Sequence, residues 1–378
     1  MKLQEQSTIL SDFARTRAEL PKARHLPGDV YASPARLAAE KDRIFMTHWL
    51  MVGREEEIPQ VGDYMTRKVL DEPIVISRSK DDGIVAFMNM CLHRGVEVAT
   101  GCGHAKHFVC PYHAWLYDSG GNFVAAEQMS KTEYDPKSAR LHRLHLELWR
   151  GWIFVNFSPD PVAFADFIRP YEDELWWFRT DECVAPEKIV IDVQCNWKLL
   201  VENLIDIYHV SIVHKSSFGK NLKSNKDELS FKLLPEGGWS YEQESRPHSK
   251  TGQQMFPTLP WVEGKGIGVS YKAGIYPNLN LSLRADSMRM WQLWPLSPDT
   301  TRLEVYLLFP PETLKEPDYE KNMVEYREFV RTIVSEDAVM VESLQAAASS
   351  RFFVPGPLSH LEGAINHMQK HYLDVMGL

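Results

Sequence analysis

The chain has 378 residues and a mass of 43.5 kDa, is 44% apolar and 25% charged, and carries a net charge of −9. That acidic balance excludes a general nucleic-acid binder, which needs a basic footprint, and the length predicts two domains rather than one core. No apolar run reaches the ~18 residues of a membrane span, and the first residues lack the apolar stretch of a signal peptide, so a cytoplasmic protein with no membrane partner is expected.

Residues 1–32 read as irregular with a short helix. Ser33-Pro34 then opens a helix to about Thr47, with Ser at the cap and Pro at the first helical position. From 48 to 160, short apolar runs (73–77, 83–89, 151–157) are separated by Gly, Asp and Pro, the pattern of a small antiparallel β-domain. Helix is expected over 164–178, a strand over 188–195, and helix again over 196–214. Residues 220–268, polar and rich in Gly, Pro and Lys, read as long loops or a lid. Three strand-like runs (271–283, 287–294, 302–309) precede one long amphipathic helix over 318–348. The expected division is an N-terminal helical segment, 1–45, packing on the second domain, then domains over 46–160 and 161–378.

Five cysteines are an odd and sparse set, which argues against a disulfide scaffold and leaves thiols available as ligands. Cys91-Leu92-His93 is followed by Cys110-Pro111-Tyr112-His113. Two thiolates and two imidazoles suit either zinc or an iron–sulfur cluster. Spacing decides: zinc fingers pair Cys with Cys and His with His, whereas here each loop gives one of each. In a Rieske [2Fe–2S] centre two Cys hold one iron and two His the other, which two such loops can supply. With 5 Cys and 14 His in the chain, four fixed positions match by chance with odds of roughly one in ten thousand. Cys102, Cys183 and Cys195 have no partner at metal spacing and read as buried or free thiols. His104 and His107 read as surface residues.

A cluster needs only part of this length, so a second site is expected. Asn196 to His214 contains Asp206-x2-His209-x4-His214. Asp206 and His209 share a helical face. His209 and His214 lie about 140° apart on an ideal helix, so the helix must bend or the chain must turn for both to reach one metal. Two His and a carboxylate form the facial triad of non-haem Fe(II) oxygenases, which leaves positions open for O2.

The loops CLHRG and CPYHAWLYD, and the segment NWK…EN…D…YH…H, resemble the large subunits of Rieske non-haem iron oxygenases over about residues 40–350, and the shorter alpha-only members most. One departure is Ala114, where the family usually has Gly. The resemblance implies an α+β chain: a Rieske domain, with Trp115 packed beside the cluster loop, and a helix-grip catalytic domain built of an antiparallel sheet and a long C-terminal helix. It also implies a third iron ligand from EDAVMVESLQ, assigned to Asp337 with Glu336 as the alternative. Asp206 is implied as a bridge from His209 to the His113 of a neighbouring protomer, in a head-to-tail ring, usually a trimer. The implied activity is O2-dependent mono- or dioxygenation, or N- or O-dealkylation, of an aromatic or other small organic substrate. Electrons would come from NAD(P)H through a ferredoxin or flavin reductase. Carnitine-type members carry Glu at the bridging position, so Asp206 argues against a carnitine substrate. Asn203, Phe218 and Trp291 are candidate pocket residues. Arg284 and Arg289 could meet a substrate carboxylate, although a solvated strand face is the simpler reading. The rival expectation is an electron carrier or redox sensor with an inactive second domain.

Overall fold

The computed structural model describes residues 13–129, 139–218, 231–245, 247, 249–262 and 268–378. The chain forms two compact units, residues 45–167 and residues up to 44 together with 168–378.

Helix α1 (Pro34–Glu40) begins as its sequence dictates: the Ser33 hydroxyl accepts the Arg36 N–H. A single π-helical turn, Lys41–Phe45, follows it in place of the expected α-helical continuation.

Among the described residues, ten short strands make the 45–167 unit: β1 (Leu50–Arg54), β2 (Asp63–Val69), β3 (Glu72–Ser79), β4 (Gly83–Met88), β5 (Cys102–His104), β6 (His107–Val109), β7 (Leu116–Asp118), β8 (Phe123–Ala125), β9 (His145–Trp149) and β10 (Trp152–Asn156). They form three antiparallel sheets, ordered β1-β10-β9, β4-β3-β2-β5 and β6-β7-β8. Val75, Val85, Phe87, Phe108, Trp115 and Tyr117 are buried in one cluster with Cys91 and Cys110. The two thiols therefore point into the core of the unit.

Helix α2 (Phe164–Leu175) begins in the last residues of the 45–167 unit and continues into the second, running on as a 3₁₀ turn to Phe178. The second unit also holds a seven-stranded antiparallel sheet. Its strands are β11 (Val184–Val193), β12 (Lys232–Leu233), β13 (Trp239–Glu244), β14 (Val269–Ile275), β15 (Leu279–Leu283), β16 (Met288–Ser297) and β17 (Thr300–Phe309), in the order β11-β17-β16-β15-β14-β13-β12. The expected run 271–283 is in fact a hairpin, β14–β15, turned at Tyr276-Pro277. Part of the expected lid is β12 and β13, while 219–230, 246, 248 and 263–267 lie outside the described residues. The helices are α3 (Trp197–Ile205), α4 (Val210–Val213), α5 (Tyr319–Ala348) and α6 (Gly363–Met376). No reading of the sequence foresaw α6. It closes a buried polar network: Gln369 Nε2 donates to Glu202 at 2.9 Å, and Tyr372 Oη donates to Glu40 at 2.7 Å. Glu40 also pairs with Lys198 at 2.6 Å, both side chains fully buried. Among the described residues no helix is long and apolar enough to cross a membrane.

Candidate functional site

In the first unit Cys91 and His93 sit in the loop after β4, and Cys110 and His113 in the loop between β6 and β7. The thiols are buried and the imidazoles exposed. The two His Nδ1 atoms lie 3.2 Å apart, close to the ~3.3 Å that two nitrogens bonded tetrahedrally to one metal require. Trp115 stacks flat on His93, centroids 5.1 Å apart and planes within 5°. Ala114 occupies the left-handed region, φ 55°, where a side chain costs roughly 1 kcal/mol that glycine avoids. A single tetrahedral ion would draw all its donors to within ~4 Å of one another. Among the described residues only His209, His214 and Asp337 converge on one point. Two inner thiols and two outer imidazoles fit a two-iron cluster, its thiolate-bound iron inside and its imidazole-bound iron at the surface.

Tyr117 was not singled out in the sequence. Its hydroxyl lies 3.2 Å from Cys91 Sγ and accepts the Leu92 N–H at 3.0 Å, so it is aligned to donate to the sulfur. Such a bond favours the more negative, reduced cluster. If it strengthens by ~1 kcal/mol on reduction, Tyr117→Phe lowers the one-electron potential by about 40 mV. Redox titration of the visible spectrum checks this, and an unchanged potential excludes the role.

In the second unit, Asn196 caps α3 by accepting the Lys198 N–H at 3.1 Å. The helix stops at Asp206, whose Oδ1 accepts the Tyr208 N–H at 2.6 Å. That side-chain turn diverts the backbone from the helix. His209 then precedes α4, and His214 begins a 3₁₀ turn. The 140° disagreement of a continuous helix is removed by this break. Asp337 comes from the buried face of α5. Its Oδ1 lies 3.3 Å from His209 Nε2 and 3.1 Å from His214 Nε2.

Each imidazole is held from behind by a carboxylate. His209 Nδ1 is 3.0 Å from Asp206 Oδ2, and His214 Nδ1 is 2.8 Å from Glu336 Oε2. Glu336 also accepts the Ser216 and Ser217 hydroxyls. It therefore lies behind His214 and not at the point of convergence, which leaves Asp337 as the third donor. Burial alone would lower the His209 imidazole, but the hydrogen bonds to Asp206 and Asp337 outweigh it and raise it to about 9. Burial would raise Asp337, yet the bonds from His209 and His214 carry it down to about 2. The protein favours positive charge where the three atoms meet, which is the electrostatics of a cation site. Two imidazoles and one carboxylate with both Nδ1 atoms fixed fit a divalent iron. Glu336→Gln removes a charged partner without touching the donors. It is expected to weaken iron binding about 10- to 100-fold while leaving the cluster intact, measured by chelator competition.

A cavity of about 510 Å³, part of it open to solvent, lies against this triad. Asn203, Phe218 and Trp291 line it. Asn203 Nδ2 donates to Asp337 Oδ1 at 3.3 Å, and Phe218 stacks on His214 with centroids 4.8 Å apart. The expectation of a solvated face for Arg284 and Arg289 is overturned: they are 1% and 2% exposed. Strand alternation reads a polar row as solvent-facing, but here that row faces the interior. Lys272 also lines the cavity, and no motif marked it.

Comparison with known proteins gives two family matches: the Rieske [2Fe–2S] domain over residues 48–142 and the ring hydroxylating alpha subunit (catalytic domain) over residues 180–378. The chain is 27% identical over 330 residues to the carnitine monooxygenase oxygenase subunit of Acinetobacter pittii, covering 86% of this chain and 85% of that one. It is 27% identical over 365 residues to the glycine betaine monooxygenase oxygenase subunit of Chromohalobacter salexigens, covering 88% and 81%. A crystal structure of a quaternary ammonium Rieske monooxygenase with L-carnitine superposes with a TM-score of 0.79 at 24% identity, over 94% of this chain and 96% of that one, a likeness of fold.

Proposed function

The chain belongs to the ring hydroxylating alpha subunits, the terminal oxygenase components of Rieske oxygenases, and on that premise we propose that His209, His214 and Asp337 hold the iron at which a small organic substrate is oxidised. Cys91, Cys110, His93 and His113 would hold the cluster. The observation that carries the reading is the convergence of two imidazole Nε2 atoms and one carboxylate oxygen beside a cavity. When bound, the mononuclear iron supplies O2-dependent oxidising power and the cluster supplies electrons one at a time.

The residues of the chain shape that chemistry. Asp206 and Glu336 keep each histidine in the tautomer whose Nε2 is free to bind metal. Asn203 steadies the Asp337 oxygen. Phe218, Trp291 and Leu281 give the cavity apolar walls that exclude water. These groups suit oxidation of a C–H bond, which ends as a hydroxyl or, beside nitrogen or oxygen, as a dealkylation. Relatives named for carnitine and glycine betaine support the dealkylation branch. Asp206 stands where carnitine-type members carry Glu, which argues against carnitine itself, and the cationic residues Lys272 and Arg289 in the cavity wall disfavour a substrate of net positive charge.

The working assembly is a cytoplasmic head-to-tail homotrimer, a ring that closes on one heterologous interface. It would be fed by a ferredoxin or flavin reductase drawing on NAD(P)H. Asp206 would pass the electron to His209 from the partner subunit's His113. Metal analysis of anaerobically isolated protein tests the iron assignment: about three irons per chain are expected, two in the cluster and one at the triad. About two irons, and no substrate-dependent O2 uptake with a reductase, would indicate an electron carrier instead.

A further inference from the structure

Residues opposite one another on neighbouring strands point to the same face of a sheet. Lys272 of β14 pairs with Ser282 of β15, and Ser282 pairs with Arg289 of β16. The three form one cross-strand row, and all three line the cavity that holds the triad. Arg284 follows directly on β15, 1% exposed, and none of its three guanidinium nitrogens has a hydrogen-bond partner among the described residues. The Ser282 hydroxyl and the Tyr241 hydroxyl are likewise buried and unsatisfied there. Buried polar groups are almost always paired, and a buried charge more strictly still. So many unsatisfied donors in one place lack an acceptor that the described protein does not supply.

The charge balance points the same way. The carboxylates that act on Lys272 are Asp337 and Asp206, and the one that acts on Arg284 is Asp286. Asp337 is committed to the metal on the reading above, and Asp206 to His209. Burial, then Arg284 and Arg289, depress the Lys272 ammonium to about 7. Arg284 and Arg289 act on Lys272, and Arg289 on Arg284, and a bound anion would offset that repulsion.

We propose that Lys272, Ser282 and Arg289, backed by Arg284, form an anion subsite, and that the substrate is an organic carboxylate seated there with its oxidised carbon toward His209, His214 and Asp337. The proposal rests on the oxygenase reading for the role of the triad, though not for the anion site itself. A carboxylate offers two coplanar oxygens to the planar fork of an arginine and accepts from lysine and serine at once. Its apolar remainder would lie against Phe218 and Trp291.

The test is calorimetric titration of the oxidised holoprotein, with no reductant, using two matched pairs: benzoate against benzamide, and butanoate against butanamide. In at least one pair the acid is expected to bind about tenfold or more tighter than its amide. Lys272→Met is expected to remove about tenfold or more of that acid affinity while amide affinity stays within about threefold. Acids binding no tighter than amides in either pair overturns the subsite, and this needs no variant. So does a normally folded Lys272→Met that keeps its acid affinity. Asp337→Ala separates the subsite from the metal: acid preference persists if the sheet holds the carboxylate, and its loss together with the iron would place the carboxylate on the metal and end the proposal. An acid preference in protein that lacks a third iron sinks the oxygenase reading alone. A third iron with no acid preference sinks the subsite alone.

Discussion

Asp337→Ala is expected to abolish substrate-dependent O2 uptake while leaving the visible spectrum of the cluster unchanged. Iron content should fall from about three to about two per chain. Among the described residues three protein donors converge there, and Asp337 is the one that carries charge. Its Oδ1 lies within 3.3 Å of both imidazole Nε2 atoms, so its removal leaves two neutral donors for a divalent ion. Loss of a partner behind a ligand already costs about 10- to 100-fold in affinity or activity. Loss of the ligand itself should therefore exceed about a thousandfold in turnover. The cluster is a built-in control, because its four ligands belong to the 45–167 unit. Alanine at 337 removes the contacts of Asp337 to both histidines, whereas Glu336, also on α5, still anchors His214 at 2.8 Å. A fold that survives with its cluster spectrum but without its third iron isolates the ligand role. Coupled product formation by this variant would refute the assignment of Asp337.

The cluster loops were legible because their four residues lie close together in sequence, and ligand order within each loop separates zinc from a two-iron centre. Asp206, His209 and His214 were legible as a motif, but not as a geometry. Helical periodicity sets two of them apart, and only the turn made by Asp206 Oδ1 on the Tyr208 N–H brings them round. Asp337 stands far along the chain and could be reached only by resemblance, since nothing local tells a buried acid on α5 from its exposed neighbours. Its neighbour Glu336 is one residue away, and only the fold shows that it faces the rear of His214. Lys272 and Ser282 escaped notice, and Arg289 was set aside for a solvated face, for another reason. They share a site through strand register, and register is a pairing between distant segments. The alternation that produces such a row is the same whether the polar face meets water or a cavity. Helix α6 was missed although its buried Ala364, Ile365, Met368, Tyr372, Leu373 and Met376 recur at helical spacing; only its polar partners, Glu202 and Glu40, lie beyond any local pattern.

Asp206→Asn should leave both metals in place and slow the delivery of the electron. The Asp206 carboxylate already uses one oxygen for the Tyr208 N–H and the other for His209 Nδ1, at 2.6 and 3.0 Å. A carboxylate has about four acceptor positions, so with two in use there is still room for a second imidazole N–H. Neighbouring Tyr208 is 55% exposed and Ile212 is 74% exposed, so the segment is accessible to the neighbouring chain that the proposed ring would bring. Asparagine keeps the turn, because its carbonyl oxygen still accepts from Tyr208. Its amide arm is a donor, however, and cannot accept an N–H from His209 or from the partner subunit's His113. The variant thus breaks the bridge with little change in shape. Single turnover from a reduced cluster is expected to slow by about a hundredfold or more, by analogy with loss of a metal-supporting carboxylate. Iron content discriminates the two roles open to this residue. Slow transfer with the iron still bound marks a bridge, whereas iron loss in step with activity marks only a support for His209. A normal single-turnover rate would rule the bridge out, and the partly buried carboxylate would then serve only the turn and His209.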